Sequence, residues 1–106
     1  MFKVDLRTID LQPEKGRAKE DFYDAGGLKA QVMRLKAGQI IPPCKMENDV
    51  LFYIIQGEGE ISVDHEKEEL MPMVSVVVPR QAKSRSISAR TDMLILAVQG
   101  TYHNKI

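Results

Sequence analysis

The feature that most constrains this chain is a series of short runs rich in β-branched and aromatic residues, bounded by Gly, Pro, Asn or Asp. The runs are Val32-Met33-Arg34-Leu35, Leu51-Phe52-Tyr53-Ile54-Ile55, Glu60-Ile61-Ser62-Val63, Val74-Ser75-Val76-Val77-Val78 and Leu94-Ile95-Leu96-Ala97-Val98. Branching at Cβ stiffens χ1 and suits a pleated surface better than a helix. Gln56-Gly57-Glu58-Gly59 separates two of the runs as a turn, and Val63-Asp64-His65-Glu66 reads as a second turn. Turn signals at roughly eight- to twelve-residue spacing predict an all-β sandwich or barrel. No stretch sustains a 3.6-residue apolar period, and only Arg17 to Ala25 reads as a helical turn or two.

The bounds agree with one small barrel. A chain of 106 residues holds one core, so residues 1–106 are read as a single domain with no linker or repeat. Fifteen basic residues balance fifteen acidic ones, and only six aromatics accompany them, which argues against a nucleic-acid partner. The start, Met1-Phe2-Lys3-Val4-Asp5, carries no apolar signal-peptide core. The longest apolar run, Met93 to Val98, is six residues, too short for a membrane span. A lone Cys44 cannot form an internal disulfide, which fits a reducing compartment. The expectation is a cytoplasmic protein with no nucleic-acid or membrane partner.

One segment carries a resemblance. Residues 38 to 57 read GQIIPPCKMENDVLFYIIQG. Metal-binding cupins carry Gly, five residues, His, one residue, His, three or four residues, Glu, six residues, Gly. The segment resembles that pattern in every spacing, with Gly38, Cys44, Met46, Val50 and Gly57 at the marked places. The second cupin motif is Gly, five residues, Pro, one residue, Gly, two residues, His, three residues, Asn. Its counterpart here is Met73, Pro79, Gln81, Ser84 and Ser88. The resemblance covers about residues 28 to 99 and implies a double-stranded β-helix, or jelly-roll, barrel.

The resemblance also implies that Cys44, Met46, Val50 and Ser84 stand where the family holds its metal. Such sites need imidazole and carboxylate donors. Valine has none, a neutral serine hydroxyl is a poor one, and the two histidines, His65 and His103, fall elsewhere. The expectation is therefore no cofactor and no metal. Cys44 and Met46, at i and i+2, leave a second reading open: a soft site for an ion such as Cu(I). Against it stands plain apolar lining, the usual role of Met and free Cys. A nucleophilic Cys44 lacks a neighbouring histidine, although Lys36 and Lys45 are near in sequence.

Period-two reasoning extends the site. With Cys44 and Met46 inward, Val50, Phe52 and Ile54 follow on the next strand, and Ser84, Ser86 and Ser88 form a row of hydroxyls on another. That set is the expected ligand pocket, and a side-chain-filled lumen is the competing reading. Arg80, Lys83, Arg85 and Arg90 make residues 80 to 90 basic and are read as a solvated face, with Arg85 turned away from the serine row. His65 is expected in solvent. Leu51, Tyr53 and Ile55 point away from the lumen, and a homodimer is expected to cover them.

Two function classes remain. The first is metal-free binding of a small molecule in the barrel lumen. The second is a small-molecule enzyme of isomerase, epimerase or oxygenase type, working through an atypical or soft-metal site at Cys44 and Met46. The resemblance does not choose a reaction, because one fold hosts many. No inward histidine or carboxylate pair is expected to act as acid or base, so the binding class leads.

Overall fold

The computed structural model describes residues 1–100 of the chain, and His103 lies outside the described residues. The strands are β1 (Lys19–Ala25), β2 (Leu28–Leu35), β3 (Ile40–Cys44), β4 (Asp49–Gln56), β5 (Gly59–Val63), β6 (Glu66–Leu70), β7 (Ser75–Val78), β8 (Arg85–Ala89) and β9 (Met93–Gly100). They form two antiparallel sheets, in the orders β1-β2-β9-β4-β7 and β3-β8-β5-β6. The all-β jelly-roll barrel expected from the sequence is what forms. No helix among the described residues is long and apolar enough to cross a membrane.

Four of the five runs named above lie wholly in strands, and the fifth does so from Ser75 onward, with Val74 just before β7. Arg17 to Ala25 does not form a helix. Arg17 bridges to Gln12, and residues 19 to 25 are β1, paired with β2 across Gly26-Gly27. Both glycines have positive φ, 61° and 82°, the backbone that a tight two-residue hairpin requires and that glycine adopts without steric cost. Pairing with β2 thus decides a segment in which only Phe22 and Tyr23 favour a strand. Pairing likewise decides β6, sequence EKEEL, which hydrogen-bonds to β5 across the Asp64-His65 turn. His65 is exposed there, as expected.

Alternation sorts the residues of each strand. On β4, Val50, Phe52 and Ile54 are buried, while Leu51, Tyr53 and Ile55 face outward, as their spacing predicts. On β9, Met93, Ile95, Ala97 and Gln99 face inward. The core between the sheets includes Phe52, Ile54, Ile61, Ile87, Met93 and Ile95. Tyr53 donates its hydroxyl to Met73 Sδ on the outer surface.

One end of the barrel is sewn shut. Gly57, with φ 89°, lies against the loop between β8 and β9: a Cβ added to it would sit 2.1 Å from the Asp92 carbonyl oxygen. A Cβ on Gly59 would meet the Ser88 carbonyl at 2.3 Å and Met93 Sδ at 2.8 Å. The Glu58 carbonyl accepts from the backbone N–H of Arg90 and of Thr91, and Glu58 N–H donates to Thr91 Oγ1. Asp92 accepts from Ala37 N–H and Lys36 Nζ, which holds its carboxyl below the usual carboxylate range.

Candidate functional site

The other half of the interior is not filled. A cavity of about 710 Å³ opens between the β1–β2 edge of one sheet and the β3 edge of the other. Its apolar wall is built by Met33 and Leu35 of β2, Val50 and Phe52 of β4, and Ala97 of β9. Drug-sized ligand sites typically occupy about 300–1,000 Å³ with a mostly apolar lining and a few placed polar groups, so the cavity is of ligand size. A smaller hollow of about 300 Å³ lies near Ile61, Val63, Val76 and Ala82, under an acidic rim.

Of the expected pocket residues, four line the larger cavity: Cys44, Met46, Val50 and Phe52. Cys44 is exposed at its mouth rather than buried, and Met46 is half-buried, packed against the core. Ile54 is wholly buried but belongs to the packed half and does not border the cavity.

Ser84, Ser86 and Ser88 require a correction. The inward residues of β8 are Arg85, Ile87 and Ala89, all buried, and the serines are half-buried on the opposite face. A one-residue slip moves an entire strand's side chains to the other face. The family spacing puts Ser84 inward, but the apolar alternation of Ile87 and Ala89 puts it outward, and the burial of those two decides. Ser84 instead closes the loop before β8: its N–H donates to Asp64 Oδ1 and its carbonyl accepts from Asp64 N–H. The start of the second motif does hold. Met73, at the motif's glycine place, has φ 76°, a backbone that favours glycine.

The same slip corrects Arg85. The sequence reads it as part of a solvated face, yet it is 6% exposed and lines the cavity. It stands directly across the ladder from Cys44 of β3. Its guanidinium carbon lies 5.3 Å from the centroid of the Phe52 ring, and Nη2 donates to Met46 Sδ at 2.7 Å. Nε is buried without a hydrogen-bond partner. Among the described residues Arg85 pairs with no carboxylate.

Two further buried polar residues escape the sequence reading. Gln31 on β2 donates to Asp21, and Gln99 on β9 accepts from Asn48 Nδ2 at 3.2 Å. Both line the cavity and alternate with apolar residues on their strands. For Gln99, a glutamine at an inward position of an otherwise apolar strand is the signal that could have found it, whereas β2 also carries Lys29 and Arg34 and gives no such contrast for Gln31.

By sequence, the chain matches no family model and no curated protein. By structure, it matches the TT1209 protein from Thermus thermophilus with a TM-score of 0.83 at 25% identity, covering 95% of this chain and 98% of that one. The cupin domain of Cnp3 from Schizosaccharomyces pombe matches with a TM-score of 0.78 at 21% identity, covering 94% of this chain and 74% of that one. The fold is that of the cupins. An enzyme also matches, a salicylate 1,2-dioxygenase from Pseudoaminobacter salicylatoxidans, with a TM-score of 0.67 and 22% identity. That match covers 70% of this chain and 21% of the enzyme. At such identities the likeness concerns the fold and leaves the reaction open.

The residues do not fit the metal of the metal-binding cupins. Val50 offers no donor, Ser84 faces away, and the inward neighbour of Ser84 is a guanidinium, which has no lone pair to give. Among the described residues no three of His, Cys, Asp and Glu cluster. The two sulfurs, Cys44 and Met46, share their end of the cavity with the same cation, whose charge opposes a metal ion there.

Proposed function

We propose that this chain is a metal-free cupin-fold binding protein that takes a small molecule into the larger cavity. The observation that carries the reading is the cavity itself. Phe52, Val50, Met33 and Ala97 give it an apolar wall, while Arg85, Gln31 and Gln99 supply a few fixed polar groups. A side-chain-filled lumen would leave no such volume beside buried polar groups. The enzyme alternative at Cys44 and Met46 has less support, because among the described residues no histidine lines the cavity and the residue facing Cys44 across the ladder is a non-titrating guanidinium.

The test is to fill the cavity. Ala97 is 1% exposed and borders it, so Ala97→Phe places an aromatic ring in the space. A fragment library screened by ligand-observed NMR against the wild type should yield hits that Ala97→Phe loses. The outer-face variant Leu51→Ser should keep them. Hits that bind all three proteins alike would place binding outside the cavity and end this reading.

A further inference from the structure

We propose that the ligand is a monocarboxylate with an apolar body, its carboxylate held by Arg85; the inference rests on the cavity reading above and narrows it to one chemical class.

The argument starts from what a buried guanidinium needs. Arg carries five N–H donors and a permanent charge, and burying such a charge without a partner is strongly unfavourable. Arg85 is 6% exposed, and among the described residues its side-chain partners are one thioether sulfur and one aromatic face. A thioether is a weak acceptor, and the Phe52 ring offsets part of the lost hydration through its negative face. Neither supplies the opposite charge. Fold stability alone would favour an apolar side chain here, since well-packed apolar replacements of buried charge are often neutral or stabilising.

The surroundings favour an anion. Charged residues lining the cavity are Lys19, Lys29, Lys45 and Arg85 against Glu47. Lys29 is engaged by Asp21 at 3.5 Å, which leaves three lining cations against one lining carboxylate. The chain as a whole has no net charge, so this bias is local to the cavity.

The geometry selects the kind of anion. Arg85 is the one buried charge among the lining residues, which matches a monoanion, and the planar fork of guanidinium matches the two oxygens of a carboxylate. A phosphate dianion asks for more donors than one arginine, and among the described residues no helix lines the cavity to add them. Met33, Leu35, Val50 and Phe52 would take an apolar body. Met46 Sδ occupies the acceptor place on Nη2. Its side chain is flexible and half-buried at the mouth, so an entering carboxylate displaces it.

The experiment compares acids with their neutral isosteres. Benzoate and hexanoate, benzamide and hexanamide, and inorganic phosphate are titrated into the wild type and Arg85→Met, followed by ligand-observed NMR and thermal melting. The acids should bind the wild type roughly 10- to 100-fold more tightly than the amides, the factor a hydrogen bond to a charged group supplies. Arg85→Met should abolish that preference. Without ligand, Arg85→Met should melt higher, by roughly 4 °C or more, if removing the unpaired charge gains about the free energy such a shift represents. A lower melting temperature would instead assign Arg85 a structural role and overturn the proposal. Amides binding as tightly as acids would remove the carboxylate assignment while leaving the cavity reading intact. Phosphate binding more tightly than the acids would overturn the monocarboxylate class. If neither acids nor amides bind while fragment hits still disappear in Ala97→Phe, the class falls and the cavity reading stands. Failure of Arg85→Met to fold counts with a lower melting temperature and overturns the proposal.

Discussion

The two halves of the barrel interior share the same strands and differ in what those strands leave between them. Along β4, Val50 and Phe52 border a cavity of about 710 Å³, and two residues further on Ile54 is wholly enclosed. Along β9, Gln99 and Ala97 border the cavity, whereas Ile95 and Met93 are fully buried. Along β8, Arg85 lies in the open half, and Ile87 and Ala89 lie in the packed one. The closed end is so tight that Gly57 and Gly59 have no room for a methyl group. The open end holds Arg85, a largely buried cation that has no carboxylate partner among the described residues. Packing in one half can hold the fold together while the other retains a costly group, the trade expected where a site is kept for a ligand.

The contrast can be broken by substitutions of matched kind. The largest effect is expected at Gly57. Gly57→Ala forces a methyl against the Asp92 carbonyl and a non-glycine residue into φ 89°. Overpacking and a strained backbone each cost about 1–3 kcal/mol, so urea denaturation should show a loss of about 3 kcal/mol or more. A loss below about 1 kcal/mol would show that the closed end yields easily.

Next comes a paired test of space. Ala89 and Ala97 are both buried and inward, one in each half. Ala89→Phe should destabilise by about 3 kcal/mol, at the upper end of overpacking. Ala97→Phe, which enters the cavity, should change stability by about 1 kcal/mol or less. Equal losses in chemical denaturation would erase the distinction between the halves.

The smallest effect concerns pH at the closed end. Ala37 N–H and Lys36 hold the Asp92 carboxyl below its ordinary value of about 4. A depressed carboxyl binds fewer protons folded than unfolded. Its stabilisation is therefore present above about pH 4 and is lost as pH falls through the lower folded value. Asp92 is solvent-exposed, so the effect is small and screened by salt. Asp92→Asn should melt slightly below the wild type at neutral pH, and the difference should shrink in acid. A difference that stays constant with pH would assign the contribution to the hydrogen bond alone.

Much of this molecule is legible in its residues. β-branched runs punctuated by glycine and proline specify strands, because χ1 stiffness and turn geometry act within a few residues. The inward set on β4 follows from alternation, and Gly57 follows from the spacing of the first motif and proves sterically obligatory. The candidate site is legible only in part. Cys44, Met46, Val50 and Phe52 line the cavity, but Ser84, Ser86 and Ser88 do not, and Arg85 takes the inward place. Family spacing and apolar alternation disagree on β8 by one residue, and a count along the chain cannot say which register the neighbouring strands will accept. Ladder pairing with β3 and β5 chose the register that buries Ile87 against the core. β6 likewise became a strand because a neighbour offered hydrogen bonds, not because Glu66–Leu70 favours the state, and in β1 only Phe22 and Tyr23 lean that way. Local chemistry thus determines which segments extend and where they turn. Which side of a strand meets the interior, and where that interior stays empty around Arg85, depends on contacts between residues far apart in the chain, and these exist only once both sheets have closed.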